Sequence, residues 1–280
     1  VLRNTKNNPA FWIFILAFVQ CLFVHQANRA ALIDSGRELR QGVTVITADD
    51  ASYLVPAENA LRGKGWRTND SGTAAYLTRS PGYGLIWYAL RSVLPPAAAL
   101  WCLFLLQIAL FAWAAALVPA IGRSLGLSRP WAFVIGLAVA LLPTFSGFLS
   151  YTLTEGVIPA LVIVFLWLLL KGLDGSGRAL IFASVLLGFV ILVRVPMLVW
   201  LIALVFALIA KSGSAESRSS YRLAAICVFL SLSPLAVWHL HGSLIAGKVV
   251  GLHPVYHWDS NDLYRPIHAE IWGFHKMWGQ

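Results

Sequence analysis

Seven apolar stretches punctuate the chain, near residues 10–27, 97–121, 131–149, 155–171, 179–193, 195–210 and 223–241, with short polar or basic segments between most of them. A helix needs ~20 mostly apolar residues, at ~1.5 Å rise each, to cross a hydrocarbon core of ~30 Å. The pattern therefore predicts an all-α polytopic membrane protein of about seven helices. The stretch from Arg178 to Lys211 is long for one span and short for two, with Arg194 and Pro196 at its centre. Both residues are costly in mid-lipid, so two short helices are expected to meet at an interface where Arg194 reaches water or an anionic ligand.

Charge sets the expected orientation. One set of short segments holds Arg3 and Lys6, then Arg123 and Arg129, then Lys171 and Arg178, then Lys211, Arg218 and Arg222, opposed only by Asp174 and Glu216. Basic segments stay on the cytoplasmic side, which implies an N-in topology. The first apolar stretch exceeds a typical signal-peptide core and reads as an uncleaved signal anchor. A long loop at 28–95 and a tail at 243–280 then face outward, within a single membrane domain spanning 1–280.

Composition agrees: 59% of residues are apolar before the 22 glycines are counted, and 12% are charged. Soluble domains run at about 45–50% apolar with glycine included and about 25% charged. The formal charge of +9 would suggest nucleic acid in a soluble protein, but topology accounts for the basic residues here. Cys21, Cys102 and Cys227 lie in apolar runs without C-x-x-C spacing, so neither a disulfide framework nor a cysteine metal site is expected.

The outward loop carries the candidate chemistry. Residues 50–62 predict an amphipathic helix with Asp49 or Asp50 near its start, and Pro81 predicts the start of a second helix carrying Ile86, Trp87 and Leu90. Adjacent carboxylates at a membrane surface can supply a general base and a metal or substrate contact; they can equally serve as a helix cap and a solvated acid. Glu155, in YTLTEGVIP, either complements the positive end of the following helix or converges with those acids on the same face. The run RSPGY, from Arg79 to Tyr83, joins a phosphate-forking cation to a rigid turn, and is equally read as a loop entering a helix. Arg194 with Pro196 suits a lipid headgroup or simple snorkelling. His239 and His241 are two apart rather than three or four, and Pro254 interrupts the pair His253 and His257, so zinc ligation by histidine has little support. P-loop, dinucleotide, H-E-x-x-H and G-x-S-x-G motifs are absent.

The segments ADDASYLVPAENALRGKGW and RSPGYGLIW resemble the first outward loop of the GT-C class of polyprenyl-phosphate-sugar-dependent glycosyltransferases. They are most similar to the bacterial branch of lipid A aminoarabinose transferase and protein mannosyltransferases. The resemblance runs through Asp49 with Asp50, Tyr53, Gly65 with Trp66, and Arg79 with Pro81, then YTLTE ending at Glu155, and Arg194 to Pro196. The second acid is Asp50 where relatives often carry Glu, and Val195 separates the arginine from the proline. The chain is also short for the class, which implies a compact relative, a truncated product or a separate C-terminal partner.

The resemblance implies inverting transfer of a sugar from a polyprenyl-phosphate-linked donor to a lipid, glycan or protein acceptor. The reaction would take place at the outward face of a bacterial inner membrane. In that scheme Asp49 is the base, and Asp50 or Glu155 orients the acceptor or holds a divalent cation. Arg79 and Arg194 stabilise the leaving phosphate, and Tyr53, Tyr83, Tyr151 and Tyr264 contribute to substrate binding. The alternative is a non-catalytic polyprenyl-phosphate-binding carrier, flippase or assembly partner. No nucleic-acid partner is expected.

Overall fold

The computed structural model describes residues 8–36, 39–47, 49–67, 80–212 and 218–246. It contains helices α1 (Pro9–Asp34), α2 (Asp50–Leu61), α3 (Gly82–Arg91), α4 (Pro96–Ser124), α5 (Arg129–Leu141), α6 (Pro143–Phe148), α7 (Ile158–Leu173), α8 (Gly177–Val193), α9 (Trp200–Ser212) and α10 (Arg218–Ala246). A two-stranded antiparallel hairpin, β1 (Leu39–Arg40) and β2 (Thr44–Val45), precedes α2. The chain is thus an all-α protein, with one small hairpin among the described residues.

Among the described residues four helical segments are long and apolar enough to cross a membrane: Pro9–Asp34, Pro96–Ser124, Arg129–Phe148 and Tyr221–Leu244. These support an integral-membrane location. The expected count of about seven membrane helices is met only in part: Ile158–Leu173, Gly177–Val193 and Val195–Ala210 fall below that length, the last two being the pair expected to be short. Sixteen residues in α7 reach about 24 Å, less than the hydrocarbon core. Polar chemistry shortens them at one end: α7 begins only after the 3-10 turn Thr154–Gly156, which carries Glu155, and α8 stops at Arg194.

Helix α4 is central and packs against α1, α5, α7 and α3. Its buried face includes Leu103, Phe104, Ile108 and Phe111. A second apolar cluster joins α7, α8, α9 and α10 through Phe165, Leu187, Leu204 and Cys227. Large apolar side chains also cover the outside, among them Phe23, Phe182, Phe206 and Phe229. A helix apolar on its outer face as well as its inner one suits a lipid solvent rather than water. All three cysteines are free thiols.

Short turns join packed neighbours, so α4 and α5, and α7 and α8, run antiparallel. The alternation gathers the end of α1, the β hairpin, α2, α3, the 150–156 segment and Arg194 at one end of the bundle. Trp66 meets Trp238 edge-on at 6.1 Å, which brings the late part of α10 to that same end. Arg123, Arg129, Lys171 and Arg178 lie at the opposite end, beside the turns at 125–128 and 174–176. Helix α1 continues through Asp34, so the segment expected to be loop from residue 28 begins as helix.

Candidate functional site

Two short helices form where the sequence pattern predicts them. Helix α2 opens at Asp50, whose backbone N–H donates to Thr47 Oγ1 at 3.2 Å. Asp49 occupies the cap position but makes no side-chain cap bond, and it is exposed. Helix α3 follows Pro81 and is tied to α2 by Glu58, which accepts from Trp87 Nε1 at 3.0 Å and from Arg91 Nε at 2.7 Å.

Asp50 is buried, with 1% of its side chain exposed. Its Oδ2 accepts from Arg40 Nε at 3.1 Å and Nη2 at 2.9 Å, and lies 3.5 Å from the Thr152 hydroxyl. Arg40 arrives from β1, whose hairpin turns through Gln41 and Gly42 at positive φ, and β2 docks on the 150–156 segment through Val45 N–H to Ser150 O at 3.0 Å. The hairpin thus delivers a counter-ion that the local sequence around Asp50 does not contain.

Glu155 and Arg194 form an ion pair across the bundle end. Thr154 Oγ1 donates to Glu155 Oε2 at 3.1 Å and accepts from Arg194 Nη1 at 3.4 Å. Burial pushes the Glu155 carboxyl up, but its bond to Arg194, a backbone bond, the guanidinium charge and Thr154 together hold it below the ordinary 4.5. Arg194 is extended, with φ −150° and ψ 107°, as Pro196 ends helical continuity after α8. The two short helices do meet there, as the apolar pattern predicted.

Tyr83 lies at the centre. It is fully buried, donates to Gln107 Oε1 at 2.8 Å, and meets Tyr53 edge-on at 5.6 Å. Burial raises its phenol well above 10, and Tyr53, Asp50 and Glu155 push it further, so all three stand within electrostatic reach of one hydroxyl. Gln107 Nε2 in turn donates to the carbonyls of Leu149 at 3.0 Å and Tyr151 at 3.3 Å. Ser80 Oγ donates to Val193 O at 3.1 Å, and Gly82 packs so closely that a Cβ there would lie 2.5 Å from Val193 N. This contact seats Arg194 against the first loop.

Of the sequence candidates, the structure gathers Asp50, Tyr53, Tyr83, Glu155 and Arg194, with Asp49 at the rim of α2. Tyr151 sits on the same segment as Thr152 but lines a groove beside α1. Arg79, Tyr264, His253 and His257 lie outside the described residues, as does nearly all of the 243–280 tail. Among the described residues no group of three or more His, Cys, Asp or Glu side chains is arranged to hold a metal ion.

Sequence reasoning missed Arg40, Thr152 and Gln107. Gln107 carried a signal, a lone amide within LFLLQIALF, since polar groups inside spans are rare and need partners. Arg40 and Thr152 carried none, because their importance comes from the partner each meets in space. Compared with protein-family models, curated proteins and solved structures, the chain matches none.

Proposed function

We propose that this chain is a membrane-embedded inverting glycosyltransferase of GT-C type, using a polyprenyl-phosphate-linked sugar at the outward face of a bacterial inner membrane. The observation that supports it best is the arginine-matched pair of carboxylates, Asp50 and Glu155, gathered around Tyr83 at one end of an apolar bundle. In this reading Asp49, exposed at the start of α2, takes the proton of the acceptor hydroxyl. The acceptor oxygen bonds to the anomeric carbon as the bond from that carbon to the phosphate oxygen breaks. Polyprenyl phosphate leaves with the added negative charge, and Arg194, with Arg79, offsets it. Asp50 is held by Arg40 and Thr152 and positions α2; Tyr53 and Tyr83 wall the site. Should a divalent cation take part, Asp50 and Glu155 are the residues to hold it. The seven-helix, N-in topology belongs to the same proposal, with α7, α8 and α9 completing the bundle as short spans.

A second reading draws on the same geometry. Both buried-end acids already have an arginine partner, which suits a non-catalytic carrier, flippase or assembly partner that binds a lipid phosphate. The test compares cell-envelope glycolipids by mass spectrometry in cells carrying the wild type, a deletion, or Asp49→Asn at matched membrane abundance. Loss of one sugar-bearing product, with accumulation of its lipid-linked donor in both defective strains, is expected of a transferase. If Asp49→Asn makes product like the wild type while the deletion does not, catalysis by Asp49 fails and the binding reading replaces it.

A further inference from the structure

Helix α2 ends at Leu61, and residues 62–67 that follow it carry Arg62, Lys64 and Arg67 and no acid. Gly63 and Gly65 turn this loop at φ +74° and +77°, a conformation that residues with a Cβ rarely adopt. The loop is tied back to its own helix: Lys64 N–H donates to Asn59 O at 2.9 Å, and the buried Asn59 donates from Nδ2 to Arg67 O at 3.1 Å. The three basic side chains are exposed on it.

Trp66 fixes the depth of the loop. It packs on α3 at Gly84, where a Cβ would come within 2.9 Å of its ring, and its ring centre lies 6.4 Å from that of Tyr88 and 6.1 Å from that of Trp238. Trp238 stands in the last two turns of the apolar segment Tyr221–Leu244, so the loop lies where hydrocarbon gives way to headgroups, the level that tryptophan and tyrosine favour. Helix α3 is two-faced: Tyr83 and Trp87 are buried, while Leu85 and Tyr88, with Val93 just beyond the helix, are exposed. A short helix with such a face lies in the membrane surface with its apolar side among the acyl chains.

The topological bias toward basic residues serves one end of a membrane bundle, and here that is the end holding Arg123, Arg129, Lys171 and Arg178. The 62–67 loop stands at the other end, where the bias does not explain it. At that end Arg40, Arg91 and Arg194 each face an acid, Asp50, Glu58 and Glu155. The loop adds three positive charges beyond those matched pairs.

We propose that the 62–67 loop and the exposed face of α3 together bind the anionic headgroups of membrane phospholipids. Arg62, Lys64 and Arg67 meet the phosphates, while Leu85, Tyr88 and Val93 enter the acyl region. The contact anchors α2 from its C-terminal end and so holds the helix that opens at Asp50 against the membrane surface. The proposal needs only the integral-membrane location, and it survives if Asp49 proves dispensable.

The test uses the purified full chain in nanodiscs of phosphatidylcholine. They hold a minor fraction of phosphatidylglycerol with a photoactivatable group beside its headgroup or, in parallel, the matching photoactivatable phosphatidylcholine, and labelled residues are mapped by mass spectrometry. Phosphatidylglycerol is expected to label residues 62–67 and 85–93 in excess over phosphatidylcholine. Arg62→Gln/Lys64→Gln/Arg67→Gln is expected to cut that excess by about fivefold or more, since one cation near an anionic surface is worth a factor of about five. Labelling beside the turns at 125–128 and 174–176 should stay unchanged in that variant, which also reports that it is folded. Arg62→Lys/Arg67→Lys keeps the charge and should keep the excess; its loss there would overturn attraction by charge. Equal labelling of the loop by the two lipids, or an excess that survives neutralisation, would overturn the proposal. Removal of the excess by inorganic phosphate, where sodium chloride of equal ionic strength leaves it, would overturn the choice of a lipid in favour of a free anion. The readout involves no sugar transfer, and the wild-type comparison needs no variant, so neither an inactive nor a misfolded protein leaves the question open.

Discussion

Replacing Gly82 by alanine tests whether the contact between α3 and α8 positions the site. The added Cβ would lie 2.5 Å from Val193 N, 2.6 Å from Leu192 C and 2.7 Å from Leu192 O. Ordinary heavy-atom contacts begin near ~3.5 Å, and none of these three is a side chain that can swing aside. The backbones must therefore part by about 1 Å, which breaks the Ser80 bond to Val193 O and shifts Arg194, the next residue, relative to Glu155. Overpacking of this kind costs about 3 kcal/mol at its upper end, and at roughly 2 °C per kcal/mol the melting temperature should fall by about 6 °C. Gly147→Ala is the matched control: the same atom is added inside a helix where it touches nothing, and helix propensity favours it by up to about 1 kcal/mol. Thermal unfolding of the purified protein followed by its tryptophan fluorescence measures both. A Gly82→Ala protein that melts within about 1 °C of wild type would refute the argument, because the backbone clash would then have been relieved at negligible cost.

Two further outcomes follow from the site. Glu155 is held below its ordinary value, so its pairing with Arg194 stabilises the fold above about pH 4.5 and is lost as the pH falls through the depressed value. The melting temperature should drop on acidification through that window, and Glu155→Gln should remove that part of the dependence; an unchanged profile in Glu155→Gln would assign it to another group. Tyr83→Phe leaves Gln107 Oε1 buried without its donor and should cost about 1–3 kcal/mol. Combining it with Gln107→Met should cost less than the two changes summed, and strict additivity in a double-mutant cycle would rule out the coupling.

Several elements were legible in the chain before any fold was known. The apolar runs located the membrane-type helices found among the described residues, because burying or dissolving a backbone in lipid demands internal hydrogen bonds over long apolar stretches. The break at Arg194 and Pro196 was legible because one residue resists lipid and the other cannot continue a helix. The starts of α2 and α3 were legible from the acid pair and Pro81. The pairing that closes the far end of α7 and α8 was not, because Glu155 and Arg194 meet from about forty residues apart in sequence.

Sequence alone thus determined the all-α membrane class, the helix order and the acids and arginines available for chemistry, since these follow from local periodicity and the cost of charge in lipid. Only the tertiary structure decided that Asp50 is matched by Arg40, that Glu155 is matched by Arg194, and that Tyr83 and Gln107 join them at one end. Those pairings arise from long-range packing: a two-stranded hairpin, a glycine pressed on a backbone and antiparallel helices bring together side chains that no spacing in the chain relates.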